Sequence, residues 1–277
     1  MTILTLGETA GWLGFDEAQC RAAGAARSER YAAGEPFPHI VLDDFLDPAL
    51  LKNLLPGFPP AEGKRFFDRD QERLKFQFAP SEIADAGLRH LLNALNGPAF
   101  LAFLETLTGI DGLIPDPYFV GGGLHETRRG GHLSIHADFN MHKPMQVERR
   151  LNLLIYLNED WPAGHGGDLE LWDRAMTACV VRVAPILGRA VIFNTDADSY
   201  HGHPEPLACP PDRSRRSIAT YYYTVPRDGG LRPRTTAFRR RPGSSDRADL
   251  RVAVDHFIRD WIPPRLQRFA YRLNRFR

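Results

Sequence analysis

From Gly109 to Val225 the chain reads as short β-rich pieces separated by turn residues: LIPDPYFVGGG, HLSIHADF, RLNLLIYLN, DLELWD, VVRVAPILG, RAVIFN and SIATYYYTV. Roughly seven to nine strands at such short spacing belong to a sandwich, a barrel or a jelly roll. No internal repeat organises them. With 277 residues, 43% of them hydrophobic, the chain is long enough to bury a sizeable core around that β region.

The flanks are of a different texture. Residues 37–59, FPHIVLDDFLDPALLKNLLPGFP, predict a strand over HIVL and then a helix, with Asp47 as N-cap and Pro48 in its first turn. Residues 81–108 predict helix from Ser81-Glu82 onward, with leucines at 88, 91, 92, 95, 101, 104 and 107, divided in two at Gly97-Pro98. Residues 226–246 are rich in Arg, Pro and Gly and predict a linker. A helix is expected over 247–262, and a second in RLQRFAYRLNRFR, where Leu266, Phe269, Ala270, Leu273 and Phe276 share a face. The expected organisation is an extension over 1–36, a domain over 37–225, and a basic linker with helices over 226–277.

The formal net charge of +1 gives no reason to expect a nucleic-acid partner. The charge is unevenly spread: residues 226–277 hold 14 arginines against five acidic residues, a net of +9, on a body of net −8. That basic tail suits an acidic partner or an anionic surface; packing of its helices on the body is the simpler expectation. Cys20, Cys179 and Cys209 are scattered and form no CxxC pair, which fits reduced thiols. No uncharged apolar run approaches a membrane span, and the first 15 residues lack the features of a signal peptide, so a cytoplasmic location is expected.

Within HLSIHADFN, residues 132–140, alternate positions of a strand share a face, so His136 and Asp138 point together. Imidazole plus carboxylate suits a divalent transition metal. An isolated HxD is weak, since an exposed polar pair is its default. A third ligand is available 63 residues past Asp138, in SYHGHPEP, where His201 and His203 both fit by strand parity. Two histidines and one carboxylate on one side of an ion form the facial triad of non-haem Fe(II) oxygenases. Beyond them, RSRRSIATYYYTV puts Arg213, Arg215, Ser217, Ala219 and Tyr221 on one face of a strand. A guanidinium there, with a hydroxyl two residues on, can clamp a dicarboxylate; a basic edge strand that deters aggregation is the plainer alternative.

HxD, a distal His followed by prolines, and RxS on the next strand together resemble the Fe(II)/2-oxoglutarate-dependent dioxygenases. RRLNLLIYLNEDW (149–161) and GGDLELW (166–172) resemble segments of the prolyl 4-hydroxylase-like branch. The resemblance spans roughly residues 37–225. It implies an α+β fold with a mainly β core: a double-stranded β-helix (jelly roll, cupin-like) with N-terminal supporting helices and a C-terminal helical tail. It implies His136, Asp138 and His201 as metal ligands and catalytic centre, the HG-x-P spacing favouring His201 over His203. Arg215, favoured over Arg213 and Arg216 by the RxS spacing, and Tyr156 would bind the cosubstrate, with Ser217 assisting. The implied cofactors are Fe(II), 2-oxoglutarate and O2, with ascorbate open as a reductant. The implied reaction is hydroxylation of an unactivated C–H bond with release of succinate and CO2. Related halogenases have a small residue at the carboxylate position, so Asp138 points to hydroxylation.

His125 fits either the pocket or a structural role, and His132 lies too far along the strand to reach the same ion. Phe139, Asn140 and His142 are expected at the substrate rim; His39, His90, His165 and His256 are expected at the surface or in the core. Two other functions compete: a jelly-roll metal enzyme that does not use 2-oxoglutarate, and a non-catalytic binding module holding zinc. The sequence leaves open whether the substrate is a peptidyl proline, an amino acid or a biosynthetic intermediate, and leaves the oligomeric state open too.

Overall fold

A computed structural model describes residues 2–9, 12–60, 65–226 and 233–246. The expected helices over 247–262 and 265–277, and with them most of the basic tail, lie outside the described residues.

The chain starts with a hairpin of β1 (Leu6–Thr9) and β2 (Trp12–Phe15), then α1 (Glu17–Ala25) and α2 (Ser28–Ala32). The Asp16 carboxylate caps α1 by accepting from the Gln19 N–H. Gly24 lets α1 lie directly against a later helix: a Cβ there would stand 2.1 Å from Thr106 Oγ1 and 2.6 Å from the Phe103 carbonyl. β3 (His39–Leu42) and α3 (Pro48–Leu54) are the expected strand and helix, with Asp47 accepting from the Ala49 N–H. A second hairpin follows, β4 (Arg65–Arg69) and β5 (Glu72–Phe78), which the sequence reading did not anticipate. The helical pair is α4 (Ala86–Leu95) and α5 (Pro98–Thr108), broken at Gly97-Pro98 as expected. Asp85, whose carboxylate accepts from the Leu88 N–H, sets the start of α4; residues 80–82 form only one 3-10 turn. Gly109, at φ +68, ends α5.

The β region contains β6 (Ile114–Pro115), β7 (Gly123–Ala137), β8 (Met141–His142), β9 (Val147–Tyr156), β10 (Leu169–Trp172), β11 (Cys179–Val183), β12 (Ala190–Asn194), β13 (His201–His203), β14 (Ser214–Thr224) and β15 (Ala237–Phe238). Its main path is β11-β10-β13-β7-β14-β9-β12-β3, antiparallel throughout, in a sheet that nearly closes into a jelly-roll barrel. β7 belongs to both layers. Its first part pairs with β14 over Gly123–Arg128, and its last part pairs with β13 over Leu133–His136. The change of neighbour falls at Gly130, φ +79, and Gly131, whose Cβ would meet the Arg73 carbonyl at 2.6 Å. Opposite it, the register of β5 jumps from Arg73↔His132 to Lys75↔Thr127. This bulge carries the strand from one layer to the other.

Strand parity separates core from cavity. Ile218 and Tyr222 on β14, and Leu151, Leu153 and Ile155 on β9, join the main hydrophobic core with Phe100, Phe103 and Leu104 of α5. The Tyr222 hydroxyl donates to the Leu95 carbonyl at the end of α4. Leu4, Cys20 and Tyr31 belong to the same core, so the first 36 residues are integral to the barrel's helical side. The alternate residues on β14, namely Arg215, Ser217 and Tyr221, face the space between the layers. Residues 233–246, expected to form a linker, instead run back over the barrel and add β15 to the end of β7. Backbone pairing from Arg239 N–H to the Ile135 carbonyl and a short ion pair of Arg241 with Glu205 fix this strap in place.

Candidate active site

The cavity between the layers encloses about 270 Å3. At one end β7 and β13 lie side by side, with His136 directly opposite His201 in register. Residues opposite each other on antiparallel strands point to one face, and the two imidazole rings meet with centroids 4.5 Å apart. Asp138 follows two positions after His136. Its Oδ1 is 3.5 Å from His136 Nε2, and its Oδ2 is 3.4 Å from His201 Nε2. One ligand atom from each of the three lies within 4.8 Å of the others.

Both rings are oriented in the same way. His136 Nδ1 lies 2.9 Å from the Ser134 carbonyl, and His201 Nδ1 lies 3.0 Å from the Ser199 carbonyl. A carbonyl only accepts, so each Nδ1 carries the proton and each Nε2 presents a lone pair toward Asp138. Phe238 of the strap packs on the His136 ring and Phe193 on the His201 ring. Burial, then the neighbouring His136, takes the His201 pKa down to about 4 against the partial opposition of Asp138. His201 is thus a neutral donor near neutral pH.

Asp138 is 8% exposed. Burial resists its ionisation, but Arg149 foremost, with His201 and His136, outweighs this and holds the carboxyl well below its usual range. Arg149 Nη2 is 3.0 Å from Asp138 Oδ2. Asn152 Nδ2 donates to the same oxygen at 2.8 Å, while Asn152 Oδ1 accepts from Arg149 Nε and Nη2 at 3.0 and 2.6 Å. The guanidinium stacks 3.5 Å from the Tyr221 ring centre. Oδ2, which also faces His201, is therefore held by protein donors, and Oδ1 is left facing His136.

Arg149 and Asn152 were missed as site residues. Three positions apart on a strand, they belong by parity to opposite faces. Between them β9 carries a bulge: Tyr222 pairs with Leu151 but Tyr223 pairs with Arg149, skipping Arg150. That extra residue reverses the parity and brings Arg149 inward, a feature that alternation alone does not show.

Further along the cavity, Arg215 is 6% exposed. Its Nε donates to the Gly167 carbonyl at 2.7 Å, and its Nη2 donates to the Tyr156 hydroxyl at 3.4 Å. Among the described residues no carboxylate pairs with it. Burial accordingly pulls its pKa below the usual arginine value. Ser217, 2% exposed, stands between His125 and Tyr156 in register and lines the same space. The competing arginines turn elsewhere: Arg213 donates to the carbonyls of Glu159 and Asp160, and Arg216 sits over the Phe58 ring near Glu126.

His203 lines the cavity opposite Leu133, one step along β13 from the His136–Asp138–His201 cluster. His125 also lines it, tied to the Gly121 carbonyl at 3.0 Å. His132 bonds the Asp70 carbonyl away from the cluster. Phe139 reaches the cavity, but His142 does not. It is fully buried against Asp116, Tyr118 and Tyr223, because its position on β8 turns it into the wall behind the site.

The donor set is one a divalent iron accepts: the Nε2 atoms of two imidazoles and one ionised carboxylate, with the cavity beside them. A family model described as the 2OG-Fe(II) oxygenase superfamily matches residues 122–223, which include every one of these groups. The matched segment runs from β7 into β14, the strands that build the site. Oxygenases of that superfamily use Fe(II), 2-oxoglutarate and O2, and the His136–Asp138–His201 cluster fits such an iron. Solved structures of oxygenases share the fold. A prolyl 4-hydroxylase from Pseudomonas putida superposes with a TM-score of 0.52 at 19% identity, covering 73% of this chain and 98% of its own. A Trichoplax adhaerens prolyl hydroxylase, solved with a hypoxia-inducible-factor peptide fragment, gives 0.52 at 16%, covering 75% and 92%. A prolyl 4-hydroxylase from Phytophthora capsici gives 0.50 at 18%, covering 78% and 70%. No curated protein sequence matches significantly. No helix among the described residues is long and apolar enough to cross a membrane.

Proposed function

We propose that the chain hydroxylates an unactivated C–H bond, with His136, Asp138 and His201 holding the iron and Arg215, Tyr156 and Ser217 holding 2-oxoglutarate. The observation that carries this reading is the pairing of two unfinished sites in one cavity. One is a cluster of two imidazole Nε2 atoms and a carboxylate oxygen; the other is a buried guanidinium whose hydrogen bonds go to a carbonyl and a hydroxyl, with Asp168 acting on it only from beyond ion-pair distance. A dicarboxylic keto acid completes both.

The iron, with 2-oxoglutarate and O2, supplies the oxidation, giving succinate and CO2 as one oxygen atom enters the substrate. The chain's own residues supply position. Backbone carbonyls of Ser134 and Ser199 fix the imidazole tautomers. Asn152 and Arg149 hold the outer oxygen of Asp138, which keeps Oδ1 toward the metal. The Gly167 carbonyl locks the Arg215 fork so that its remaining N–H groups, with the Tyr156 hydroxyl, face the distal carboxylate. Leu169 lines the cavity and belongs, with Tyr156, to the small core beneath it.

The test is succinate formation from 2-oxoglutarate by the anaerobically iron-loaded protein on admission of O2, read together with a 16 Da mass gain across a panel of amino acids, peptides and metabolites. His201→Ala is expected to remove iron binding, whereas His203→Ala is expected to retain it. Tight zinc binding without 2-oxoglutarate turnover would instead support a binding module.

A further inference from the structure

The cavity carries more positive charge than the proposed reaction uses. Its charged lining residues are Arg69, Glu72, Lys75, Asp138, Arg149 and Arg215, four cations against two carboxylates. Ferrous iron and the 2-oxoglutarate dianion cancel each other, so loading the site leaves an excess of two positive charges. Asp138 has to serve both Arg149 and the metal, and Arg215 is answered by the cosubstrate. One of these two charges lies on the β4–β5 hairpin, where Lys75 and Arg69 stand against the single carboxylate of Glu72.

Lys75 is held inside the cavity. It pairs in register with Thr127, another lining residue, and its side chain is only 12% exposed. Its ammonium bonds Glu72 Oε1 at 2.7 Å and lies 5.6 Å from the centre of the Phe67 ring. Its charge acts on His125, His203 and Tyr221, which stand on three different strands of the wall. Arg69, on the same hairpin, lies at the exposed rim of the same cavity. A lysine drawn inward beneath an arginine gives an entering anion two successive partners, and the small enclosed volume strengthens both. Phe139 and Phe238 add apolar surface to the same cavity.

We propose that the substrate is a small organic anion whose carboxylate or phosphate docks on Lys75 and Arg69, with its reacting carbon held between the hairpin and the His136–Asp138–His201 cluster. This rests on the function proposed above and narrows it: neutral peptidyl proline is disfavoured against a compact, negatively charged molecule.

The experiment uses the full chain loaded with Mn(II) and saturating 2-oxoglutarate, without O2. Dissociation constants come from paramagnetic relaxation of ligand protons in two pairs that differ only by an anionic group: N-acetyl-L-proline against N-acetyl-L-prolinamide, and phenyl phosphate against phenol. The expected result is that one or both anions bind at least tenfold more tightly than their neutral partners, and the stronger pair identifies the group. Lys75→Met should weaken the anion about tenfold and leave the neutral partner unchanged. Glu72→Gln, which removes the opposing carboxylate, should tighten the anion several-fold, an outcome no folding defect produces. Arg21→Gln, on the far surface of α1, should change nothing. Equal binding within both pairs, or a Lys75→Met effect confined to 2-oxoglutarate, overturns the proposal. If the Mn(II) protein does not bind 2-oxoglutarate at all, the reading of the site fails and this inference fails with it.

Discussion

Replacing Arg215 by methionine separates binding from stability more sharply than any other substitution in the site. The guanidinium is buried, spends Nε on the Gly167 carbonyl and reaches the Tyr156 hydroxyl through Nη2, and forms no direct ion pair among the described residues, Asp168 acting on it only at longer range. Two effects therefore oppose each other in the protein without 2-oxoglutarate. Methionine removes the cost of burying an unpaired charge, worth several kcal/mol in idealised terms. It also leaves the Gly167 carbonyl and Tyr156 hydroxyl without that donor, at about 1–3 kcal/mol. The net change in unfolding free energy is expected within about 2 kcal/mol of zero, with stabilisation the favoured sign. Binding of 2-oxoglutarate has no such compensation. Hydrogen bonds to a charged group contribute about 1.5–3 kcal/mol each, and losing a two-pronged contact to a carboxylate predicts a loss of about 3–6 kcal/mol, roughly two to four orders of magnitude in Kd. Urea denaturation of the metal-free protein and calorimetric titration of 2-oxoglutarate into the anaerobic Mn(II) protein measure the two quantities. An unfolding free energy lowered by more than about 3 kcal/mol, with 2-oxoglutarate affinity intact, would show that Arg215 is a structural residue.

Arg149→Met should lower metal affinity by about 10- to 100-fold, because Asp138 loses the donor that fixes its outer oxygen; equilibrium dialysis of Mn(II) reads it. Gly24→Ala, which in an ordinary helix interior stabilises by about 1 kcal/mol, should here destabilise by about 1–3 kcal/mol, because its Cβ collides with Thr106 and the Phe103 backbone; thermal denaturation gives the sign. His125 supplies a pH dependence. Burial, then the charge of Lys75, holds its pKa well below the ordinary imidazole value of about 6.5. The folded chain thus takes its proton later than the unfolded chain, and this contribution to stability is complete above 6.5 and lost as pH falls. His125→Gln should flatten the acid side of the stability profile of the metal-free protein by up to about 1.4 kcal/mol per pH unit, measured by denaturation between pH 7 and 5; an unchanged slope would show that His125 titrates normally.

What the sequence made legible follows strand parity, and what it concealed follows the interruptions of parity. His136 and Asp138 are two apart on one strand, Arg215, Ser217 and Tyr221 are two apart on another, and all five face the cavity. Cross-strand pairing then sets His201 against His136, a contact that one histidine-proline segment 63 residues on could suggest. The helix break at Gly97-Pro98 and the cap at Asp47 were equally readable, since each depends on its immediate neighbours. Arg149 was hidden by the bulge at Arg150, because a bulge is chosen by both strands of a ladder and leaves no period in either one. The strap over 233–246 was hidden for a related reason. Its arginines and prolines have the composition of a linker, yet two residues of pairing at Ala237 and Phe238 place an aromatic ring on His136. Lys75 likewise looks like one more surface lysine until β5 is laid along β7 and its register with Thr127 turns it inward. The end of the cavity that holds the His136–Asp138–His201 cluster is thus written in local spacing. The end lined by Lys75 and Arg69 is written in which strands meet, so two chains with the same motifs can differ there.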